Sequence, residues 1–435
     1  MKMKIHYKLW KLIPMVVLSI SSCTDYLSIT PDNRTEVAEY YNSAQRVNQA
    51  VIGTYVDLRR ALLTNHAWLM YGEARAGDLT VEVGYQALVA SQRLNVDQYN
   101  LNQISDWEYF YDVIASANNV MEIVSSADPT LLTEYQHQLY LGEALALKSM
   151  AYFYLARIWG DIPSGEASDL GQKLTSAEAI DRAMTFADKA KELLPWMLLN
   201  DDGIESTALT AVRFNKSAAT MLFAQEALWA GKNQEAETAL EELSADEAKL
   251  SGLGLSMGVD RRTDIPQTPL SRTMVSMPLD KLNKIYPVGD QRRSSLFTIS
   301  DGQSGATLIV KDASTLEILK LSELNLLRSE AAWKVGKVDK AIEYMLIATE
   351  GSTEDYTTLS DEAFADALLL ERQRILVGTG QRFFDLIRFG KISKFVPSLS
   401  PAAVENGATY WPLSAGSIRD NALTQSSYWS NQQSQ

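Results

Sequence analysis

Histidine, cysteine and paired carboxylates carry out most side-chain chemistry, and this sequence is poor in the first two. Cys23 is its single cysteine, and His6, His66 and His137 are its three histidines. Only two histidines follow residue 22, which leaves little from which to build a zinc site or an imidazole-activated nucleophile. HExxH, CxxC, GxSxG and GxxxxGK[ST] do not occur. Ser251-Gly252-Leu253-Gly254 and Gly378-Thr379-Gly380 are too short to cradle phosphate and read as turns. With 54 acidic residues, no two carboxylates single themselves out as an acid/base pair. Neither catalysis nor a metal or cofactor is expected. Binding chemistry is better represented. A sugar ring has an apolar C–H face that stacks on aromatics, and hydroxyls that bond to Asn, Asp, Gln and Arg. Trp68, Tyr71 and Tyr85 lie in a region punctuated by Gly72, Gly77 and Gly84, with Arg75, Asp78 and Arg93 close in sequence. These six residues are the candidate ligand contacts, and Tyr286 is a weaker one. A second reading has Trp68 and Tyr71 capping the core.

Cys23 ends the run Ile20-Ser21-Ser22-Cys23, behind a basic head of Lys2, Lys4, Lys8 and Lys11 and an apolar stretch from Leu12 to Ile20 interrupted by Pro14. The stretch falls short of the ~20 residues that span a bilayer and reads as an export signal. Small residues before a cysteine resemble a bacterial lipoprotein signal, with Ile20 where leucine is usual. Residues 1–22 would then be removed and Cys23 acylated. An exported chain with one thiol forms no internal disulfide. Two or three acyl chains, at ~0.8 kcal/mol per buried CH2, give stable anchoring. Loss of four lysines and no acids takes the net charge from −14 to −18, a surface that repels nucleic acid.

The elements that must position these residues are mostly helical. Residues 24–34 read as a polar tether. Apolar spacing predicts helices over 36–63, 106–124, 131–159, 175–199, 208–230, 233–248, 315–335, 338–349, 361–377 and 382–394. Met150 to Trp159 is apolar almost all round and reads as a central buried helix, stopped at Gly160 and Pro163. Trp107, Trp159, Phe383 and Phe384 read as core. Thr307–Val310 is the one short strand candidate. Ala227 to Ala236 lines up with Ala332 to Ala341, each with a glycine (Gly231, Gly336) between two alanines. Such a glycine turns the chain between antiparallel helices, as in tetratricopeptide-type pairs. Trp229 and Trp333 would be wedges between those helices. The expected fold is all-α: a tetratricopeptide-like helix-pair scaffold, an α-superhelix with irregular ligand-binding loops.

Several blocks resemble the SusD/RagB family of outer-membrane nutrient-binding lipoproteins of Bacteroidetes. They are Asp25-Tyr26-Leu27 with Pro31; Trp107-x-x-Phe110-Tyr111-x-x-Ile114-x-x-Ala117-Asn118; Glu143 to Lys148; and Tyr152 through Trp159-Gly160-Asp161-Ile162-Pro163. Arg213 with 218–236, Asp290-Gln291-Arg292, Ser329 through Ala341, and Glu371-Arg372 through Arg382-Phe383-Phe384-Asp385 continue the likeness. Trp411-Pro412, Asn421 and Gln425 close it. Lys148 stands where the family usually has arginine, and Ile375 and Thr379 where it has glutamates. That loss suggests a rewired ion-pair network around Arg372, Arg374 and Arg382. Arg382 and Asp385 themselves are expected to pair along one helix.

The resemblance implies a nutrient-binding domain over 23–435, with an N-terminal part to about 310 and a C-terminal part from about 311. It implies an outer-membrane, lipid-anchored, surface-exposed protein that captures oligosaccharide or polysaccharide for a SusC-like TonB-dependent β-barrel transporter. The alternatives are a peptide-binding RagB-like uptake lipoprotein, and a helix-repeat scaffold for protein partners. The shortened 250–313 insertion argues against a large glycan platform.

Overall fold

The computed structural model describes residues 40–81, 84–166, 168, 171–243, 255–258, 275–299, 305–308, 315–349, 355–421 and 423–432. The signal, Cys23, the tether and Ser251–Gly254 lie outside the described residues. The long helices are α1 (Ala44–Leu63), α2 (Glu108–Ser126), α3 (Glu134–Trp159), α4 (Ser176–Leu193), α5 (Lys216–Trp229), α6 (Asn233–Glu242), α7 (Leu321–Lys334), α8 (Val338–Ala348), α9 (Asp361–Ile375) and α10 (Arg382–Arg388). Each from α1 to α7 packs on the next, and α9 packs on α7 and α10. The result is the expected stack of helix hairpins, made of α1–α2, α3–α4, α5–α6 and α7–α8.

Local chemistry sets the helix ends. Thr133 with Gln136, and Thr175 with Glu178, form capping boxes that satisfy the first amides of α3 and α4. The repeated glycines sit at φ +73° (Gly231) and +80° (Gly336), a left-handed turn that an L side chain resists. In both hairpins the next amide reaches back to the earlier alanine carbonyl, Lys232 N to Ala227 O and Lys337 N to Ala332 O, each at 2.8 Å. Trp229 fits between Phe153 and Phe384, and Trp333 stacks on Phe389. The α3 helix is buried on all sides from Glu143 onward. Its terminal Trp159 meets Tyr71, Trp107 and Phe110 edge to face at 6.0–6.2 Å. Full burial of each such ring is worth ~1.5–3 kcal/mol, so this cluster holds the front of the scaffold together.

The structure departs from the sequence reading in several places. The helix expected from 315 begins only at Leu321. Thr315–Leu319 is a strand (β8) paired antiparallel with Leu255–Gly258 (β4). Its Thr-Leu-Glu-Ile-Leu alternation buries Leu316 and Ile318 and exposes Glu317, a strand period that the adjoining helical pattern hid. The helix expected over 208–230 is broken, because Asn215 caps α5 anew by accepting from Ala218 N. Strands are also commoner than one candidate suggests. Thr80–Val81 (β1), Val275–Pro278 (β5), Gly305–Leu308 (β7) and Phe297–Thr298 (β6) form a small antiparallel sheet in the order β1-β5-β7-β6. Ile162–Pro163 (β2) pairs with Lys173–Leu174 (β3).

The expected Arg382–Asp385 pair is also replaced. Arg382 Nε donates to Asp78 at 2.9 Å, and Asp385 takes Arg372 and Arg388, each at 2.9 Å. Arg372 also reaches Glu323 at 2.7 Å, and Arg388 reaches Glu330 at 2.7 Å. Arg374 pairs with Glu371. Acids from α7, α9, α10 and the segment after α1 thus neutralise the arginines that Ile375 and Thr379 do not serve.

Candidate functional site

Between α1 and α2 the chain makes a compact elbow. Asn65 and His66 hold positive φ angles of 50° and 57°. Two successive non-glycine residues in the left-handed region are costly and persist only where the surroundings fix them. A short helix, Ala67–Leu69, runs into a single π-helical turn, Met70–Ala74. Here Gly72 lies so close to Gly380 that a Cβ would come within 2.0 Å of the Gly380 carbonyl oxygen. The Gly378–Gly380 turn is therefore the seat of this elbow.

The side chains expected to face a ligand mostly build the elbow instead. Trp68, Tyr71, Arg75 and Tyr85 are buried, which for Trp68 and Tyr71 agrees with the second reading, that they cap the core. Trp68 donates its indole N–H to Gly378 O at 3.2 Å. Tyr71 donates its hydroxyl to Ile104 O at 2.7 Å, and Tyr85 donates to Asn65 O. The Arg75 guanidinium lies over the Phe383 ring at 4.3 Å and donates to Ala408 O at 2.5 Å, to Thr409 O and to Gln92. Burial pulls its pKa down to about 9. Asp78 is half-buried among Arg382, Gln373 and Lys281, tying the elbow to α9 and α10. Tyr286 is buried and donates to Arg374 O at 2.9 Å. Arg93 alone of the six candidates is exposed.

What these residues hold up is the short helix Tyr99–Ser105. Leu101 and Ile104 point into the core, and Tyr99, on the opposite side, is 74% exposed. Amides surround it. Gln103 Nε2 donates to the Tyr99 hydroxyl at 3.2 Å, and Asn65 Nδ2 donates to Gln103 Oε1 at 2.6 Å. Asn102 donates to Asp97 at 2.7 Å, and Gln98 caps the helix by accepting from Leu101 N at 2.7 Å. An open aromatic face with preset carboxamide and carboxylate partners is suited to a polyhydroxylated ring. The signal was present in the sequence. The run from Asn95 to Gln103 alternates amides with Asp97 and Tyr99, and Tyr99 is out of phase with Leu101 and Ile104.

His66 is 2% exposed, and burial lowers its pKa to about 4, so it is neutral at pH 7. Glu73, on the π turn, accepts from Gly380 N at 3.2 Å and is raised to about 8 by burial. Both are enclosed structural groups. Among the described residues no cluster of His, Cys, Asp and Glu is arranged to hold a metal.

A concavity of about 500 Å³ opens where the start of α2 meets the β2–β3 loop and residues 414–417.

Residues 25–228 match a family described as starch-binding and associating with the outer membrane. A SusD-like protein of Formosa agariphila, P38, is 22% identical over 92% of this chain and 94% of its own length. A SusD-like protein of Bacteroides ovatus is 27% identical over 34% of this chain, and the match spans only 27% of that relative. Among solved structures, a SusD superfamily protein of Bacteroides thetaiotaomicron superposes with a TM-score of 0.76 at 22% identity, covering 89% of this chain and 99% of that one. Surface glycan-binding protein A of the same organism, solved with laminarihexaose, gives 0.67 at 16% identity over 88% and 99%. At these identities the structural likeness is one of fold. The family match over residues 25–228, just under half of the chain, the end-to-end relative and the shared fold make this chain similar to SusD-like proteins.

Proposed function

We propose that this protein is a surface lipoprotein that binds oligosaccharide or polysaccharide and passes it, chemically unchanged, to a SusC-like TonB-dependent transporter. The observation that carries the reading is Tyr99, an exposed ring set among amides on a helix anchored by the buried Tyr71 and Tyr85. The laminarihexaose bound to one protein of the same fold supports a glycan over a peptide. Arg93, exposed on the segment leading into this helix, would extend the contact surface. The mature chain would run from Cys23 to Gln435, with the acyl groups on Cys23 holding it at the outer membrane and residues 24–34 as tether.

Calorimetric titration of the full chain against laminarin, starch and a peptide panel tests the binding half. The wild type should bind one glycan, and Tyr99→Ala should weaken it at least tenfold, in keeping with ~1.5 kcal/mol for a lost aromatic contact. Binding of peptide alone, or undiminished glycan binding by Tyr99→Ala, would contradict it. A fatty-acid probe tests the anchor. Wild type should be labelled in the producing cell and Cys23→Ser should not.

A further inference from the structure

The concavity of about 500 Å³ lies on the far side of Asp106 from Tyr99, at the opposite end of the short helix. Trp107, Tyr111 and Pro163 give it an apolar floor, and Asp106, Glu108 and Gln172 supply polar groups. The floor is fixed. Tyr111 donates its hydroxyl to Pro163 O at 2.6 Å, and Trp107 meets its ring edge to face at 6.0 Å. Gly165 presses on the same ring, where a Cβ would stand 2.7 Å from Tyr111 Cε1. The wall formed by the loop from Pro163 is tied from behind. Glu166 is held by Lys148 at 2.8 Å and Tyr152 at 2.7 Å, and Ser164 Oγ accepts from Arg182 at 2.9 Å. Glu166 thus spends its charge on the scaffold. Among the described residues, the carboxylates lining the opening are Asp106 and Glu108, and no Lys or Arg lines it.

We propose that this cleft is a second saccharide site, independent of Tyr99, that takes one or two rings of a neutral sugar and rejects acidic sugars. The volume falls in the lower part of the ~300–1,000 Å³ range of small-molecule sites, too small for a long chain. The aromatic floor suits the C–H face of a pyranose. Two carboxylates accept from hydroxyls and repel a uronate. The inference rests on the glycan-binding reading but on different residues.

The test is titration of the detergent-solubilised full chain with glucose, galactose, mannose, their disaccharides and glucuronate, followed by saturation-transfer NMR. Gly416 lines the cleft with open space at its Cβ position, the nearest atom being Ser414 Oγ at 3.7 Å, so Gly416→Trp plugs the site without a backbone clash. Wild type and Tyr99→Ala should bind one neutral sugar in the millimolar range, with no saturable binding of glucuronate. Gly416→Trp should weaken the neutral sugar at least fivefold. Glu108→Lys, an exposed change that spares the fold, should admit glucuronate. The proposal is overturned if no neutral sugar binds wild type, if glucuronate binds equally well, or if Gly416→Trp, folded by circular dichroism, binds as wild type. Loss of small-sugar binding in Tyr99→Ala alone would overturn the cleft and leave the Tyr99 site standing. Small-sugar binding lost only in Gly416→Trp, with long-glycan binding unchanged in Tyr99→Ala, would do the reverse.

Discussion

At the scale of single residues, the interior holds more ionisable groups than a helix stack needs, and their states set the pH response. Glu226 on α5 is fully buried and accepts from Ser149 Oγ at 2.6 Å. Burial raises its pKa from 4.5 to about 8. Between these values the fold keeps a proton that the unfolded chain has released. Its contribution is therefore complete below pH 4.5 and is lost as pH rises through 8. Glu226→Gln removes that loss. Its unfolding free energy, from urea titration, should gain on wild type between pH 5 and pH 8 by a few kcal/mol, at ~1.4 kcal/mol per pKa unit. A constant difference between the two proteins would refute it. His66, lowered to about 4, works in the opposite direction, with stability lost as pH falls through 6.5 toward 4. Neither state was legible in the sequence, where His66 and Glu226 look like any other polar residue of a helical stretch. Burial is a tertiary property, and it also turned Trp68, Tyr71, Arg75 and Tyr85 from contacts into supports. Aromatic type alone does not separate the two roles. Helical phase does, and it singles out Tyr99 against Leu101 and Ile104.

At the scale of elements, the sequence was most informative where one local rule acted alone. The Gly231 and Gly336 turns, the alanines beside them and the all-round apolarity of α3 each follow from a short window, and each hairpin formed as expected. The strand at Thr315–Leu319 was missed because its partner, Leu255–Gly258, lies some sixty positions away and its own window is only five residues long. The elbow was missed for the same reason, since Gly72 and Gly380 meet across three hundred positions. The two kinds of glycine should behave differently on substitution. Gly72→Ala forces a methyl into the Gly380 carbonyl and should cost several kcal/mol or displace the turn. Gly53→Ala in α1, with nothing within 4 Å of its Cβ position, should stabilise by about 0.5–1 kcal/mol. Thermal unfolding of both variants measures the contrast. A mild effect at Gly72 would mean that the elbow does not seat on Gly378–Gly380.

At the scale of the whole molecule, four helix hairpins form the frame, and the proposed ligand surface hangs on the irregular segment between the first two helices. The all-α class and the likeness to SusD-like proteins were legible because hairpins repeat and their signature blocks are local. The sequence narrows the proposed ligand face only to the region 64–102, because which side chains emerge there depends on how the Gly378–Gly380 turn, α10 and residues 408–410 close around it. The negative net charge agrees with a neutral ligand, since it disfavours the approach of an acidic glycan. The most direct measurement is a crystal structure of the protein with the oligosaccharide it binds best. The account predicts a sugar ring lying within ~4 Å of the Tyr99 face, van der Waals stacking distance, with hydroxyls bonded to Asp97, Asn102 or Gln103. An oligosaccharide seated elsewhere, with the Tyr99 ring bare, would contradict it.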